Sequence, residues 1–227
     1  MIPLRDTVKS RTVPVLVLLL IFLNAFVFVI ELTLGDRIGV FFMEAGFVPG
    51  KFFSGESYGG SVLALKRFSP LFSSLFVHGG WMHLIGNMLF LWVFGDNVED
   101  HVGKVKFLIL YFSSGVIASL AQGAVSSGSN VPLVGASGAI AGILGAYYLL
   151  FPFSKVLTLI PIVIFPLFVE IPAAVFLIYW FFLQLLSGAL SLTGPQWSQV
   201  AWWAHIGGFA WGLLFTLVFG KPRRRYS

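Results

Sequence analysis

Residues 107–154 read FLILYFSSGVIASLAQGAVSSGSNVPLVGASGAIAGILGAYYLLFPFS, and not one of them is charged. A helix crosses the hydrocarbon of a bilayer in about 20 residues, so this run is too long for a single crossing. The polar stretch Ser126-Ser127-Gly128-Ser129-Asn130, followed by Pro132, breaks it into two helices, expected over 106–124 and 134–152. Two uncharged helices joined by a short polar turn set the fold class.

The same reading extends outward in both directions. Thr12 to Ile30 is free of charge, which places a first span over 12–31. Phe68 to Gly95 is also uncharged, with a second span expected over 81–97. Ile171 to Gly220 is again too long for one helix, and Thr193-Gly194-Pro195-Gln196 splits it into spans over 171–190 and 202–220. The expected fold is an all-α polytopic membrane protein, a bundle of six transmembrane helices forming one membrane domain over residues 1–227. Two segments do not read as spans. Residues 33–80 form a long outer loop rich in Phe and Gly, with short helices lying in the interface. Val156 to Val169 is apolar but carries Pro161 and Pro166, which suits a short strand or interfacial hairpin better than a helix.

Composition agrees. The chain is 58% hydrophobic and only 10% charged, against about 25% charged in soluble domains. The formal net charge of +5 sits at the chain ends and in short loops, a sign of membrane topology and not of nucleic-acid binding. In the six-span arrangement Arg5, Lys9, Arg11, Lys104, Lys106, Lys155, Lys221, Arg223, Arg224 and Arg225 share one side. Only Arg37, Lys51, Lys66 and Arg67 face the other. Both termini are therefore expected in the cytoplasm. Cysteine is absent, which removes thiolate metal sites and a cysteine nucleophile. No internal repeat of the kind common in secondary transporters is evident.

Polar and ionisable groups inside a membrane are costly and usually functional. His83 and Asn87 open the second span, Ser137 the fourth and His205 the sixth. In the expected topology these even-numbered helices start from the same face, so the four residues lie in one layer. Ser137 follows Gly135 and Ala136 at a helix start, where unpaired amides can bind an oxyanion. Gly138, Ala141, Gly142 and Gly145 on one helix, and Gly208 and Gly212 on the other, are small enough for close packing. Such packing would bring His205 within reach of the Ser137 hydroxyl, the minimum for a base-activated nucleophile. No carboxylate is placed to orient the imidazole: Asp96, Glu99 and Glu170 belong to the opposite face, so the arrangement is a dyad. His83 and Asn87, at i and i+4, share a helix face and can both donate to an oxyanion. Each residue also has a plainer use. Serine packs glycine-rich helices, a membrane histidine can be structural or pH-sensing, and a His/Asn pair can hold helices together. By the same reasoning His101 reads as a solvated loop residue, His78 as an organiser of the outer loop, and Phe176, Tyr179, Trp180, Phe181 and Phe182 as lipid-facing bulk.

Three motifs, His83-Leu84-Ile85-Gly86-Asn87, Gly135-Ala136-Ser137-Gly138 and Ala204-His205-Ile206-Gly207-Gly208, resemble in order and placement the signatures of the rhomboid intramembrane proteases. The resemblance implies Ser137 as nucleophile, His205 as general base, and an oxyanion site formed by His83, Asn87 and the Ser137 amide. It also implies acyl-enzyme hydrolysis of transmembrane protein substrates with no metal or cofactor, and a role for His78 in stabilising the first loop. The fifth helix and the loop Leu192–Ala201 are the implied gate. Two positions depart from the family pattern: Lys66-Arg67 stands where many members have Trp-Arg, and Ala141 where many carry an aromatic stacked on the catalytic imidazole. Two rival readings are a client-binding relative without catalysis and a small transporter using His83 and His205 as proton relays. Compact loops suggest a prokaryotic plasma membrane. The partners expected are substrate helices and the lipid bilayer, with no nucleic acid; the oligomeric state is left open.

Overall fold

The computed structural model of the chain describes residues 1–54, 67–162, 165–192 and 200–220. Among them are six long helices: α1 (Val15–Thr33), α2 (Trp81–Val102), α3 (Lys104–Val125), α4 (Ser137–Leu150), α5 (Ala173–Ser191) and α6 (Trp202–Phe219). By length and composition α1, α3, α5 and α6 are able to cross a membrane. The remaining two depart from the expected pattern for different reasons. α2 runs five residues past the expected end at 97, through Glu99, Asp100 and His101. α4 has only 14 residues, about 21 Å of helix against roughly 30 Å of hydrocarbon.

The short helix is the centre of the bundle. Every residue from Gly138 to Tyr147 is buried, and α4 packs against α2, α3 and α6 and touches α5. Its glycines make that possible. A Cβ on Gly208 would collide with the carbonyl oxygen of Gly138, and one on Gly212 with that of Gly142. On the other side a Cβ on Gly142 would strike Ser114 of α3. With no hydrophobic driving force between helices in lipid, close backbone approach of this kind holds them together by dispersion. The start of α4 falls at Ser137 and not at residue 134, because Gly135 adopts φ +120° and donates its amide to Ser74 O at 2.9 Å. Leu133 meanwhile pairs with Phe47 of the outer loop. Irregular backbone at this depth is tolerated because protein, not lipid, surrounds it.

The cytoplasm-facing end expected for α2 carries a strap. Strand β1 (Ile2–Asp6) joins β2 (Lys155–Ile162) and β3 (Phe165–Pro172) in an antiparallel sheet ordered β1-β2-β3. The hairpin answers the expectation for Val156–Val169, with Lys155 opposite Pro172 and Pro161 opposite Pro166. The participation of the N-terminus, with Ile2 opposite Leu159 and Asp6 opposite Val156, has no periodicity that announces it. From β1 the chain crosses α2, whose acidic last turns it satisfies. Glu99 accepts the amides of Leu16 and Val17, at 3.1 and 3.0 Å, and so caps the start of α1. Asp100 accepts from Thr12 N and Oγ1 at 3.1 and 2.7 Å. These bonds explain why α2 continues as helix. His101 lies within that helix with its ring 5.7 Å from Phe151, edge-on, not in a loop.

The outer segment contains the expected short helices, Ile38–Ala45, Pro49–Phe53 and Pro70–Ser73. Arg67 anchors it by donating to Phe52 O at 2.8 Å and lying 5.3 Å over the Phe52 ring. Lys66, the 193–196 break and the basic residues from Lys221 to Arg225 lie outside the described residues.

Candidate active site

The first residue of α4 and the first turn of α6 meet. Nε2 of His205 stands 2.8 Å from Oγ of Ser137, the spacing of a hydrogen bond and of a nucleophile–base pair. Two helices far apart in sequence reach this contact because their backbones touch one and two turns farther along α6, at Gly208 with Gly138 and at Gly212 with Gly142. A larger side chain at either glycine of α6 would wedge the imidazole away from the hydroxyl. Ser137 also occupies the start of a helix. The first amide to close onto Ala136 O is that of Ile140, so the amides of Ser137 and Gly138 precede the first intrahelical bond and point out of the helix end.

His83 and Asn87 approach from α2. A Cβ on Gly135 would collide with Cε1 and Nε2 of His83 and come within 3.5 Å of Nδ2 of Asn87. Gly135 therefore serves twice, adopting a φ that favours glycine and leaving room for the α2 side chains to reach the irregular segment ahead of Ser137. Asn87 is held from the outer loop: its Nδ2 lies 2.9 Å from Nε2 of His78. His78 is buried, with Nδ1 3.4 Å from Phe76 O, while its backbone amide donates to Glu31 of α1 at 3.1 Å. An imidazole whose Nδ1 proton goes to a carbonyl accepts at Nε2, so Asn87 is the donor. Burial, aided by the nearby His83 ring, lowers the His78 pKa to about 4, which keeps it neutral and able to accept. The assignment of His78 to loop organisation thus gains a second half, since the same ring orients Asn87.

Sequence reasoning found no carboxylate for the imidazole, and the structure has none beside it among the described residues. It has an amide. Oε1 of Gln184, on α5, lies 2.8 Å from Nδ1 of His205. Trp180, one turn earlier, has its ring centroid 5.9 Å from that of His205, and Trp202 lies 6.3 Å away, edge-on. Ala141 places no aromatic one turn after Ser137, and the imidazole is supported from α5 instead. The aromatic run on α5 is accordingly not uniform lipid-facing bulk. Tyr179 and Phe182 are exposed, but Phe176 is buried against Phe90 and Phe94, and Phe181 stacks on Phe209 at 4.6 Å. The buried stripe is Ala173, Phe176, Leu177, Gln184 and Gly188. Its spacing, with one amide on an otherwise apolar face, is the sequence signal that marks Gln184.

A cavity of about 30 Å³ borders Ser137, lined by Ser74, Ser119, Val134 and Ala201 among others. That is room for one or two waters with polar partners in reach. No group of His, Asp or Glu able to hold a metal occurs among the described residues.

Comparison with known proteins matches residues 65–222 to the Rhomboid domain. The chain is 31% identical over 161 residues to Rhomboid protein 1, mitochondrial, of Saccharomyces cerevisiae, covering 66% of this chain and 42% of that protein. It is 38% identical over 80 residues to the human Presenilin-associated rhomboid-like protein, mitochondrial, covering 34% of this chain and 21% of that protein. RHOMBOID-like protein 5 of Arabidopsis thaliana is 40% identical over 76 residues, covering 34% of this chain and 25% of that protein. The chain thus spans less than half the length of these relatives. With the Rhomboid domain matched from the outer segment through α6, and helices apolar enough to cross a bilayer, this integral membrane protein belongs to the rhomboid family.

Proposed function

We propose that the protein is an intramembrane serine endopeptidase acting through Ser137 and His205. The observation that carries this reading is the 2.8 Å contact between His205 Nε2 and Ser137 Oγ at the start of a central, glycine-packed helix. His205 takes the hydroxyl proton as Oγ attacks a peptide carbonyl. The oxyanion is stabilised by the Ser137 amide, Asn87 and His83. The proton then passes to the leaving amine, and water, admitted by way of the polar cavity beside Ser137, hydrolyses the ester. The reaction needs no metal or cofactor.

The substrates are transmembrane proteins. A helix opened at the scissile bond exposes backbone groups, at a cost of several kcal/mol each in lipid, so cleaved helices carry Gly, Pro or polar residues near the cut. The bundle crosses the membrane six times as a single domain, with both termini cytoplasmic. Charge on the loops supports this orientation, and α4 crosses as a short central helix shielded from lipid by its neighbours. The relatives named with an organelle are mitochondrial, and nothing in them supports the bacterial plasma membrane that compact loops suggested.

The test is cleavage of a single-span substrate with a helix-breaking segment in proteoliposomes. Ser137→Ala and His205→Ala should each lower the rate by about 10⁴-fold or more, with unchanged thermal unfolding. A wild type that cleaves nothing across a panel of such substrates, and takes up no fluorophosphonate at Ser137, would end this reading in favour of client binding.

A further inference from the structure

Three hydrogen bonds, each donated in the same sense, run from the Ser137 hydroxyl to the backbone of α5. Nε2 of Gln184 donates to Trp180 O, one turn earlier on the same helix, at 3.0 Å. That bond fixes which end of the amide is which, and leaves Oε1 facing α6. There it lies 2.8 Å from Nδ1 of His205. An amide oxygen only accepts, so Nδ1 carries the imidazole proton and Nε2 presents its lone pair to the Ser137 hydroxyl. The tautomer needed for a general base is thereby selected by a neutral side chain on a neighbouring helix.

We propose that Gln184 is the positioning residue of the dyad, taking the place of a triad carboxylate, and that it makes the dyad's competence depend on α5 lying against α6. The proposal rests on the reading of Ser137 and His205 given above. A carboxylate at Nδ1 both orients the imidazole and stabilises its cation. An amide oxygen orients it and stabilises the cation only with a dipole, which suits a site where, among the described residues, no ionised partner contacts the imidazole. Further support for the imidazole comes from the same helix, because Trp180 lies beside the ring and Ala141 offers no aromatic at the position one turn after Ser137. Gly188 lets Ile206 and the two tryptophans Trp202 and Trp203 come close to α5, holding it against the start of α6. Displacement of α5 around residues 180–188 would therefore remove the Nδ1 acceptor and the ring contact together. Motion that admits a substrate must leave this stretch in place or return it before the chemistry.

The experiment compares the full-length wild type with Gln184→Met, which keeps the volume but loses the Nδ1 acceptor, and with Gln184→Glu. Whether ionised or protonated, Glu keeps an oxygen acceptor. Two activities are read: kcat and KM for a single-span substrate, and the rate of Ser137 labelling by a small fluorophosphonate, which requires the dyad but no helix movement. A third readout is independent of activity: ¹⁵N NMR of labelled histidine, with the His205 signals identified by their loss in His205→Ala. Expected are an Nδ1–H tautomer in the wild type and its loss in Gln184→Met. With it, kcat should fall about 10- to 100-fold at unchanged KM, with slower labelling and recovery of both in Gln184→Glu. An Nε2–H tautomer in the wild type overturns the proposal without any variant. So does wild-type kcat in Gln184→Met, or a loss that leaves the tautomer unchanged and is not rescued by Glu. If the wild type neither cleaves nor labels, the protease reading fails, while the NMR result still decides whether Gln184 sets the tautomer.

Discussion

The two ends of the helix pair α2 and α4 both carry buried polar side chains, and they solve the problem of burial in opposite ways. At the first turns of the pair lie Asn87 and Ser137, joined by His78, His205 and Gln184 in bonds between uncharged partners. At the last turns lie Asn97, Glu99, Asp100 and Tyr147, bonded to Asp6 and to the amides that open α1. The charged end uses carboxylates as caps: a buried anion is tolerable where a helix N-terminus supplies free N–H groups and a favourable dipole. The neutral end has no such carboxylate caps facing Ser137 or His205 among the described residues, and its directed chain of neutral donors and acceptors orients the imidazole without burying a charge in the resting state. Polar residues at one end therefore tie the N-terminal strap and α1 to α2, and those at the other carry the proposed dyad.

The contrast can be broken by three substitutions, whose effects should separate cleanly. Asn87→Ala, at the neutral end, should lower kcat about 10²- to 10³-fold, as expected for an oxyanion donor, while moving the thermal midpoint little. Equal losses of stability and activity would make Asn87 a helix-packing residue. Glu99→Ala, at the charged end, leaves the amides of Leu16 and Val17 uncapped and should cost about 1–2 kcal/mol of stability, with kcat within about 2-fold of wild type. A larger loss of kcat than of stability would mean that the two ends are coupled.

The smallest effect concerns pH. Burial, with Asp96 nearby, raises the Asp6 pKa to about 6, although Tyr147 donates to its carboxylate. The protonated form is thus favoured when the strap is docked. Its contribution is complete below the unfolded value near 4 and is lost as pH rises through about 6. Asp6 is only partly buried, so the change should be on the order of 1 kcal/mol after allowance for screening. Hydrogen exchange at Leu4 to Asp6 should accordingly speed up, beyond its intrinsic pH dependence, between pH 4 and 7. Asp6→Asn should remove that excess, and an unaltered pH dependence in the variant would dissociate the strap from Asp6.

Much of this was legible in residue order, and the division has a physical cause. Hydrophobicity along the chain is local, so the helices themselves, the 126–132 break and the hairpin before α5 follow from it, to within a few residues. The shared depth of His83, Asn87, Ser137 and His205 follows from counting alternating spans, and the small residues of α4 and α6 announce close packing because only they permit it. Contacts between segments without a period were not legible. The strap of β1 across α2, and with it the helical state of His101, depends on which distant amides reach Glu99 and Asp100. Gln184 stayed hidden because a neutral amide on an apolar stripe gains its meaning only from the neighbour it faces. By itself the sequence determined a membrane bundle with a serine and a histidine in one layer, since burial in lipid selects residue types one helix at a time. Only the tertiary structure decided which nitrogen of that histidine faces the serine, because a tautomer is set by the partner across the helix interface, and that partner lies 21 residues away in the chain.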